Sequence, residues 1–526
     1  MPRHAGVILP LFSTVSTSSW GIGELPDLAP LSRWLSSAGF DRLMLLPLGT
    51  MPEGETSPYS AMSAMAIDPV YISVERLEDL PRANGAAVVP EEIAQDVDSA
   101  RGGSRIQYAI VRRAKICALT LAFDRFHADE WGRFTTRAAS LAAYIARERW
   151  WLDDYALYRA LAETLPDSWR KWPEPLRDRE PKAIDDARRQ LAREVLRHQY
   201  WQWIAESQWQ AARAVAREHG VTVFGDLPFV VGADSVDVWS RAHEFRLDVS
   251  TGVPPDAFSE TGQDWGLPMY RWNVIEEGDY AWLRQRARRM SALFDGFRVD
   301  HLVGFYRTYG RPEGGDPFFS PAEEHLQVRQ GEAVLTVFRD AGAEILAEDL
   351  GVVPDFVRAS LARLGVPGCK VLRWERDWHS PGHPFLPPEH YTPVSVAMTG
   401  THDTESLAAW WDAAQETERV AAFRLPWFAK CGLANHDGEW TEQLRDAFLE
   451  LAYQTGSNDV FFPMQDVFGW RDRINTPATV GDANWTWRLP LPVDRLLEDS
   501  AAIERARFCR AAALAAGRGV AVTSST

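Results

Sequence analysis

The sequence has few cysteines and few basic residues for its length. Only four of the 526 residues are cysteines, and they are far apart with no CxxC pair. This spacing excludes a zinc knuckle or a disulfide framework and favours the reducing cytoplasm as the location. The 56 Lys and Arg are outnumbered by 73 Asp and Glu, so the formal net charge is −17. The overall field therefore does not attract nucleic acid or anionic lipid, and we expect neither as a partner.

Long apolar runs are also missing. The N-terminal one covers residues 5–12, contains Pro10 and is short even for the core of a signal peptide. No run approaches the ~20 apolar residues of a membrane span. The 46% of hydrophobic and 25% of charged residues are instead typical of a globular chain with a large core. Tryptophan is abundant, with 23 residues, and such rings serve either core packing or stacking on sugar rings.

Apolar, strand-like segments recur along the chain and predict its fold. Residues 6–11 and 42–48 flank a segment, 27–37, with the periodicity of a helix, which indicates a strand–helix–strand unit of a parallel sheet. Six further segments of this kind follow, at residues 221–225, 296–299, 344–347, 370–373, 394–398 and 460–464. Eight strands with helices between them predict the α/β class and a (β/α)8 TIM barrel.

The stretch between the second and third strands differs in character from the rest. From about residue 81 to 220 it is charged and helical, so we predict helical insertions between barrel strands. The whole chain, 1–526, is predicted to be a single catalytic unit. Its barrel comprises about residues 1–80 and 215–526, its inserted helical subdomain about 81–214, and an active-site loop insertion about 240–290.

Several of the apolar strands stop at an acidic residue. Asp226, Asp300 and Glu348 follow three of them, and Asp403 follows a fourth within Thr401-His402-Asp403. Acids are common in loops, but the carboxyl ends of parallel barrel strands open on one face, where side chains distant in sequence converge. We therefore predict that these carboxylates share one site.

Arg298 and Asp300 lie two residues apart, so a strand directs them to the same side. The guanidinium is expected to lower the pKa of Asp300 and keep it ionised, as a nucleophile requires, although such a pair can also be purely structural. Glu348 ends a nearly uncharged strand and could stay protonated as an acid. Together they suit retaining glycoside chemistry, with carboxyl groups ~5–5.5 Å apart.

Zinc is the competing interpretation of the polar residues in this region. His301 and His402 could join Asp300 and Asp403 as ligands, but no HExxH or HxH spacing supports a metal. The turn around His402 and Asp403 instead offers a carboxylate and a neutral donor for sugar hydroxyls.

Longer motifs resemble those of the 4-α-glucanotransferases (amylomaltase, or disproportionating enzyme), family 77 of the glycoside hydrolases. The resemblance covers nearly the whole chain. It rests on Ser57-Pro58-Tyr59, Gly225-Asp226-Leu227-Pro228, Asp234 to Trp239, Gly252 to Phe258, Gly262 to Pro268, Arg298-Val299-Asp300-His301, Ala347 to Gly351, Thr401-His402-Asp403, Asn475-Thr476-Pro477 and Asn484-Trp485.

The resemblance implies a (β/α)8 barrel and a catalytic trio. Asp300 would be the nucleophile that forms a β-glucosyl–enzyme intermediate, Glu348 the general acid/base, and Asp403 the transition-state stabiliser. It implies no metal and no organic cofactor. The substrates would be maltooligosaccharides and α-1,4-glucans as donor and acceptor, with glucose as a further acceptor.

The resemblance also implies substrate-binding residues around the trio. Arg298 and His402 would contact the sugar or the catalytic acids, while Tyr59 and Trp265 would contact sugar rings. The set further includes Asp226 in the polar cluster, Asp256 in a Pro-rich loop arching over the cleft, and Asn475.

Two departures from the family pattern concern acceptor preference. The family often has Arg where this chain has Val303, and Asn where it has Thr404. The main alternative function is an α-1,4-glucan hydrolase with the same trio, because only the acceptor differs. A non-catalytic glucan-binding barrel is disfavoured, since binding alone does not need all three carboxylates.

Overall fold

The protein is a closed barrel of eight parallel strands, seen in a computed structural model that describes residues 2–133, 135–165, 168–255, 261–433, 438–477, 479 and 481–519. Each strand pairs with the next along the chain, and the first closes on the last, with His4 opposite Asp459. The strands are β1 (His4–Ile8), β2 (Arg42–Met44), β3 (Thr222–Leu227), β4 (Gly296–Val299), β5 (Glu344–Ala347), β6 (Gly368–Val371), β7 (Ser395–Met398) and β8 (Asp459–Pro463). The predicted fold class is confirmed.

The bounds of β4 and β5 agree with the sequence pattern, whereas β3 runs further than predicted. It continues to Leu227, so that Asp226 pairs in register with Arg298 of β4 rather than following the strand. Strand β1 starts earlier and ends at Ile8, because Pro10 leads into a 3₁₀ turn at Leu11–Ser13.

The inside of the barrel is filled by apolar side chains of the strands. Glycines 6 and 296 make room for two of the rings, since a Cβ at either position would lie within 2.5 Å of Phe461 or Phe224. The inner cluster consists of Ile8, Met44, Phe224, Leu346, Cys369, Val371, Val396, Met398 and Phe461. Because strand side chains alternate, residues two positions beyond this layer also point inward.

Helices cover the outside of the barrel and occupy the long connection between β2 and β3. The described residues of that connection form six α-helices and a small hairpin of Arg82–Ala83 with Ala86–Ala87. The helices are Glu91–Gly102, Tyr108–Asp129, Thr136–Thr164, Glu174–Arg177, Pro181–Gln190 and Ala192–Glu218. The last of these continues through residue 214, where the predicted subdomain boundary falls.

The other described helices lie in the remaining connections and after β8. They are Leu28–Ser37, Val236–Ser240, Trp272–Glu277, Ala281–Leu293, Val303–Tyr306, Glu324–Asp340, Asp355–Leu364, Leu407–Ala413, Glu416–Phe423, Pro426–Lys430, Glu442–Tyr453, Met464–Phe468 and Ser500–Ala515. Among the residues that the structure describes, no helix is both long and apolar enough to cross a bilayer.

A four-stranded antiparallel sheet, here called the cleft sheet, stands beside the carboxyl end of the barrel. Its order is Phe318–Ser320, Thr308–Pro312, Phe245–Val253 and Gln263–Tyr270. This sheet is not among the elements predicted from the sequence. The signal was present, because Phe245, Leu247 and Val249 alternate with polar residues as a half-exposed strand requires.

Candidate active site

A cleft of about 760 Å³ opens at the carboxyl ends of the barrel strands, with the cleft sheet as one wall. Eight of the predicted site residues line it: Tyr59, Trp265, Arg298, Asp300, Glu348, His402, Asp403 and Asn475. The period-two alternation of β4 and β5 explains why Asp300 and Glu348 meet there, since each follows its strand in the inward orientation. Asp256 lies outside the described residues.

Arg298 is the buried cation at the base of the cleft. Its Nη2 donates to Oδ2 of Asp226 at 2.8 Å and to Oδ1 of Asp300 at 2.6 Å, and its Nε lies 3.1 Å from both oxygens of Asp226. The Asp226 side chain is fully buried. This carboxylate fixes Arg298 from below and does not line the cleft, and its place among the substrate-binding residues stays a prediction.

Asp300 lines the cleft and is bound to Arg298 through Oδ1, and 30% of its side chain is exposed. Burial raises the pKa of Asp300 to about 6, although the Arg298 guanidinium opposes that shift. The prediction that Arg298 acts to lower the pKa of Asp300 is confirmed, but the predicted net lowering is wrong, because burial raises this pKa by more than Arg298 lowers it. At pH 7 a carboxyl group of pKa ~6 is still about nine-tenths ionised, so Asp300 is available as an anion.

Glu348 is held by two backbone amides. Its Oε2 accepts from the His301 amide at 2.7 Å and its Oε1 from the Leu350 amide at 3.1 Å. Burial raises the pKa of Glu348 to about 7, with the negative charge of Asp300 acting in the same direction and Arg298 opposing it. The environment thus gives the two carboxyl groups different pKa values, so that Asp300 loses its proton at a lower pH than Glu348 does.

Asp403 is an ionised carboxylate within a hydrogen-bond network. Its Oδ1 accepts from the Asn475 amide at 2.6 Å, and its Oδ2 lies 3.2 Å from Nε2 of His402. Burial acts to raise the pKa of Asp403, but His402 and Asn475 outweigh it and lower the pKa to about 2. His402 Nε2 is also 3.0 Å from the Tyr59 hydroxyl, which donates to Asp226 at 2.6 Å.

The turn that carries Asp403 is fixed by residues that the sequence analysis did not place in the site. The Thr404 hydroxyl accepts from the Thr401 amide at 2.9 Å and closes the turn. Arg473 donates to the Asp403 carbonyl at 2.5 Å, to the Asn475 carbonyl at 2.6 Å and to Oε1 of Glu405 at 2.6 Å. One guanidinium therefore joins the two segments that bear Asp403 and Asn475, a long-range contact that leaves no local sequence pattern.

Aromatic side chains form part of the cleft lining. The Trp265 ring meets the His301 ring edge to face, with centroids 4.8 Å apart, and the Tyr59 ring stacks on His402 at 5.4 Å. His301 has a φ of +45°, uncommon for a residue with a side chain, and this backbone bend brings its amide to Glu348. Trp374 and Trp485 also line the cleft.

A zinc site would need His301 and His402 to point, together with carboxylates, at one common position. Burial lowers the pKa of His301 to about 4, and its ring packs between Phe229 and Trp265. Within the described part of the chain, no group of three or more His, Cys, Asp or Glu side chains has an arrangement that could hold a metal ion.

A parallel barrel with several carboxylates and exposed aromatic rings in one cleft is typical of enzymes that act on glycosidic bonds. The comparisons with known proteins narrow this class. The family model of the 4-alpha-glucanotransferases, glycoside hydrolase family 77, matches residues 9–493. The chain belongs to this family of enzymes.

The relatives match over nearly their full length. A 4-alpha-glucanotransferase of Thermus thermophilus is 36% identical over 93% of this chain and 95% of its own, and one of Chlamydia pneumoniae is 32% identical over 94% and 93%. Among solved structures, the amylomaltase of Streptococcus agalactiae superposes with a TM-score of 0.81 at 24% identity, covering 98% of this chain and all of that one. That structure supports the fold.

Proposed function

We propose that this enzyme moves α-1,4-glucan segments between maltooligosaccharides by a retaining double displacement. The observation that carries the proposal is the difference in pKa between two carboxyl groups that line one cleft, those of Asp300 and Glu348. Asp300 has a pKa of about 6 and is ionised at neutral pH, while Glu348 has a pKa of about 7 and still carries a proton in much of the population. A nucleophile and an acid are thereby available together.

The first half-reaction uses both groups. Oδ1 of Asp300 is held by Arg298, which leaves Oδ2 to attack the anomeric carbon of the donor. As the new C–O bond forms, the glycosidic bond breaks and its electron pair stays with the leaving 4-oxygen, which takes the proton of Glu348. The product is a β-glucosyl ester on Asp300. The predicted ~5–5.5 Å between the two carboxyl groups suits this step.

The second half-reaction reverses these roles. Glu348, now a carboxylate, takes the proton from the 4-hydroxyl of an acceptor sugar while that oxygen attacks the anomeric carbon. Asp300 leaves as a carboxylate, and the α-1,4 linkage is restored. Asp403 stays ionised throughout and stabilises the positive charge that develops on the sugar ring in both transition states.

A hydrolase would share each of these steps except the acceptor, which would be water. Water is present at ~55 M as the bulk solvent, so transfer requires a well-bound acceptor and restricted access of water. Trp265 lines the cleft wall and offers a stacking face for such an acceptor. Trp265→Ala is therefore expected to raise the ratio of hydrolysis to transfer as total turnover falls. An unchanged ratio would assign Trp265 to donor binding or folding.

Incubation with pure maltotriose tests the proposal. The expected products are glucose and a series of longer maltooligosaccharides, with a constant number of reducing ends. A steady rise in reducing ends without elongation would establish the hydrolase. Binding of maltotriose without any new product would establish a glucan-binding barrel.

We further propose that the chain is one catalytic unit, with the helical insertion at about residues 81–214 and the loop insertion at about 240–290 joined to the barrel. One continuous apolar core with residues of all three parts supports this, for example Trp209, Phe245 and Phe297. Trp209 of the helical insertion also donates its indole N–H to the Leu293 carbonyl of the barrel part at 2.9 Å. The cytoplasm is the proposed location. It is consistent with the four cysteines, which are all free.

A further inference from the structure

One arginine in the cleft lacks the kind of polar partner that Arg298 and the neighbouring Arg311 have. Arg307 lines the cleft at the edge of the cleft sheet. Among the described residues its side chain forms no ion pair and no hydrogen bond, and its Nε is buried without a partner. Arg298 binds two carboxylates, and Arg311 of the same sheet donates to the Thr261 carbonyl at 3.1 Å. A partly buried guanidinium without a partner costs free energy unless a ligand satisfies it.

The local backbone explains why Arg307 faces the cleft together with two aromatic rings. Its dihedral angles, φ −145° and ψ +117°, are those of a strand, so the side chains of residues 307 and 309 point to the same face. Phe319 stands directly opposite Tyr309 in the antiparallel register, and their ring centroids are 5.1 Å apart. The guanidinium of Arg307 lies 4.2 Å above the Phe319 ring.

We propose that Arg307, Tyr309 and Phe319 form a sugar-binding subsite of the cleft, here called the sheet subsite, for a glucosyl unit away from the bond that reacts. The inference rests on the proposed function. The two rings supply flat faces for a pyranose, and the guanidinium donates hydrogen bonds to its hydroxyl groups. Because these residues stand on the cleft sheet and not on the barrel strands, only a longer oligosaccharide reaches them from Asp300.

The charge of the cleft favours a neutral sugar over an anion at the sheet subsite. Four acidic side chains line the same cleft, namely Asp264, Asp300, Glu348 and Asp403. In the part of the lining that the structure describes, the arginines opposing them are Arg298 and Arg307, and Arg298 is already bound to carboxylates. A phosphate group entering this cleft would meet a negative field, whereas hydroxyl groups carry no charge to repel.

The experiment compares a short and a long donor in two matched variants. Arg307→Met removes the guanidinium and keeps the volume of the side chain. We expect the KM for maltoheptaose to rise about tenfold, the size of effect that follows from losing one hydrogen bond to a charged donor, with kcat within about twofold. The KM for maltotriose should stay within about twofold.

Arg246→Met is the control, because Arg246 belongs to the same sheet and lies 5.5 Å above the ring of Phe318, but does not line the cleft. Its kinetic constants should match those of the wild type for both donors. Arg307→Lys should recover part of the preference for maltoheptaose, since it restores a donor of the same charge.

Three results would overturn the sheet subsite. One is an equal rise in KM for both donors, and another is a fall in kcat at unchanged KM, which would assign Arg307 to folding or to catalysis. The third is inhibition of the wild type by inorganic phosphate that Arg307→Met relieves, since this would assign an anion to the site. Failure of the proposed function is distinguishable, because the wild type would then not disproportionate maltotriose at all.

Discussion

The two ends of the barrel contain the same kind of charged group, a buried arginine between acidic side chains, in different circumstances. At the amino end, Arg42 contacts both oxygens of Glu344, at 2.8 and 3.0 Å, and lies 2.9 Å from Asp459. At the carboxyl end, Arg298 similarly contacts Asp226 and Asp300. Each arginine thus neutralises one carboxylate that is buried at a high cost, Asp459 at the amino end and Asp226 at the carboxyl end.

The difference lies in what remains after this pairing. At the amino end both carboxylates are engaged by the one arginine. At the carboxyl end, Arg298 contacts both oxygens of Asp226 but only Oδ1 of Asp300. Among the described residues, Glu348 and Asp403 form no ion pair with an arginine, and both line the cleft. The carboxyl end therefore has carboxylate oxygens that are not bound to an arginine beside a cleft that can hold a ligand, as a catalytic site requires. The cluster at the amino end lines no such cleft and is structural.

The largest expected effect comes from removing the spare oxygen of Asp300. Asp300→Asn should lower kcat for transfer from maltotriose by about four orders of magnitude or more, because the amide is a poor nucleophile. Circular dichroism should show an unchanged fold, since Arg298 keeps Asp226. A folded variant with substantial transfer would show that the carboxyl end is no more reactive than the amino end.

Glu348→Gln should have the second-largest effect, and one that depends on the leaving group. Loss of the acid is expected to cost about 10²–10⁴-fold on maltotriose. With α-glucosyl fluoride as donor, whose leaving group needs no proton, formation of the intermediate should be largely retained. Equal losses on both donors would indicate that Glu348 is merely structural.

The pH profile follows from the same pair. The reactive form has Asp300 ionised and Glu348 protonated, so the rate should rise as pH passes about 6 and fall as it passes about 7. In Glu348→Gln with the fluoride donor, the fall above pH 7 should disappear while the rise near pH 6 stays. A wild-type rate that is flat from pH 5 to 9 would contradict this assignment.

A smaller effect is expected from the contact that holds the Asp403 turn. Arg473→Lys keeps the charge but loses the fork that binds two carbonyls and Glu405, so kcat should fall about 10- to 100-fold with a small change in KM. Arg471→Lys is the control, because Arg471 pairs with Asp412 at the surface. A rise in KM alone would show that Arg473 serves binding and does not position Asp403.

The smallest effect on activity is expected at the amino end. Arg42→Met leaves Asp459 buried without its cation, so the melting temperature should fall by about 3–5 °C while kcat changes less than about twofold. Burial already raises the pKa of Asp459 to about 6, above its ordinary value. Below that pH the folded protein holds Asp459 neutral, and the loss in melting temperature should therefore be smaller at pH 5 than at pH 8. A large loss of kcat would contradict a purely structural role.

The sequence predicts the barrel and the convergence of Asp300, Glu348 and Asp403 on one cleft, because both depend on local patterns. Strands β4 and β5 have the predicted bounds, and the acids that follow them line one cleft as parallel topology requires. The division of roles among Asp300, Glu348 and Asp403 stays a prediction.

Three features were beyond the sequence reasoning, each for a physical reason. The net pKa of Asp300 depends on burial, which outweighs its neighbour in sequence, Arg298. Arg473 joins Asp403 to Asn475 through contacts between residues some 70 positions apart. The cleft sheet combines strands on both sides of β4 in sequence, so Arg307 and Phe319 come into contact only when Thr308–Pro312 pairs with Phe318–Ser320. Period-two alternation could have revealed its strands but not their place in the cleft.

The pairing of β1 with β8 has a consequence for how the protein is made. The barrel closes only when β1 pairs with β8, where His4 lies opposite Asp459. Because β8 is near the end of the chain, β1 leaves the ribosome long before this partner strand has been synthesised. At synthesis rates of about 5–20 residues per second, that interval is on the order of half a minute or longer. During this time the apolar edge of β1 is open to unwanted pairing. Nascent chains halted before β8 should thus be the species that chaperones bind and that aggregates, and chains released after it should escape both.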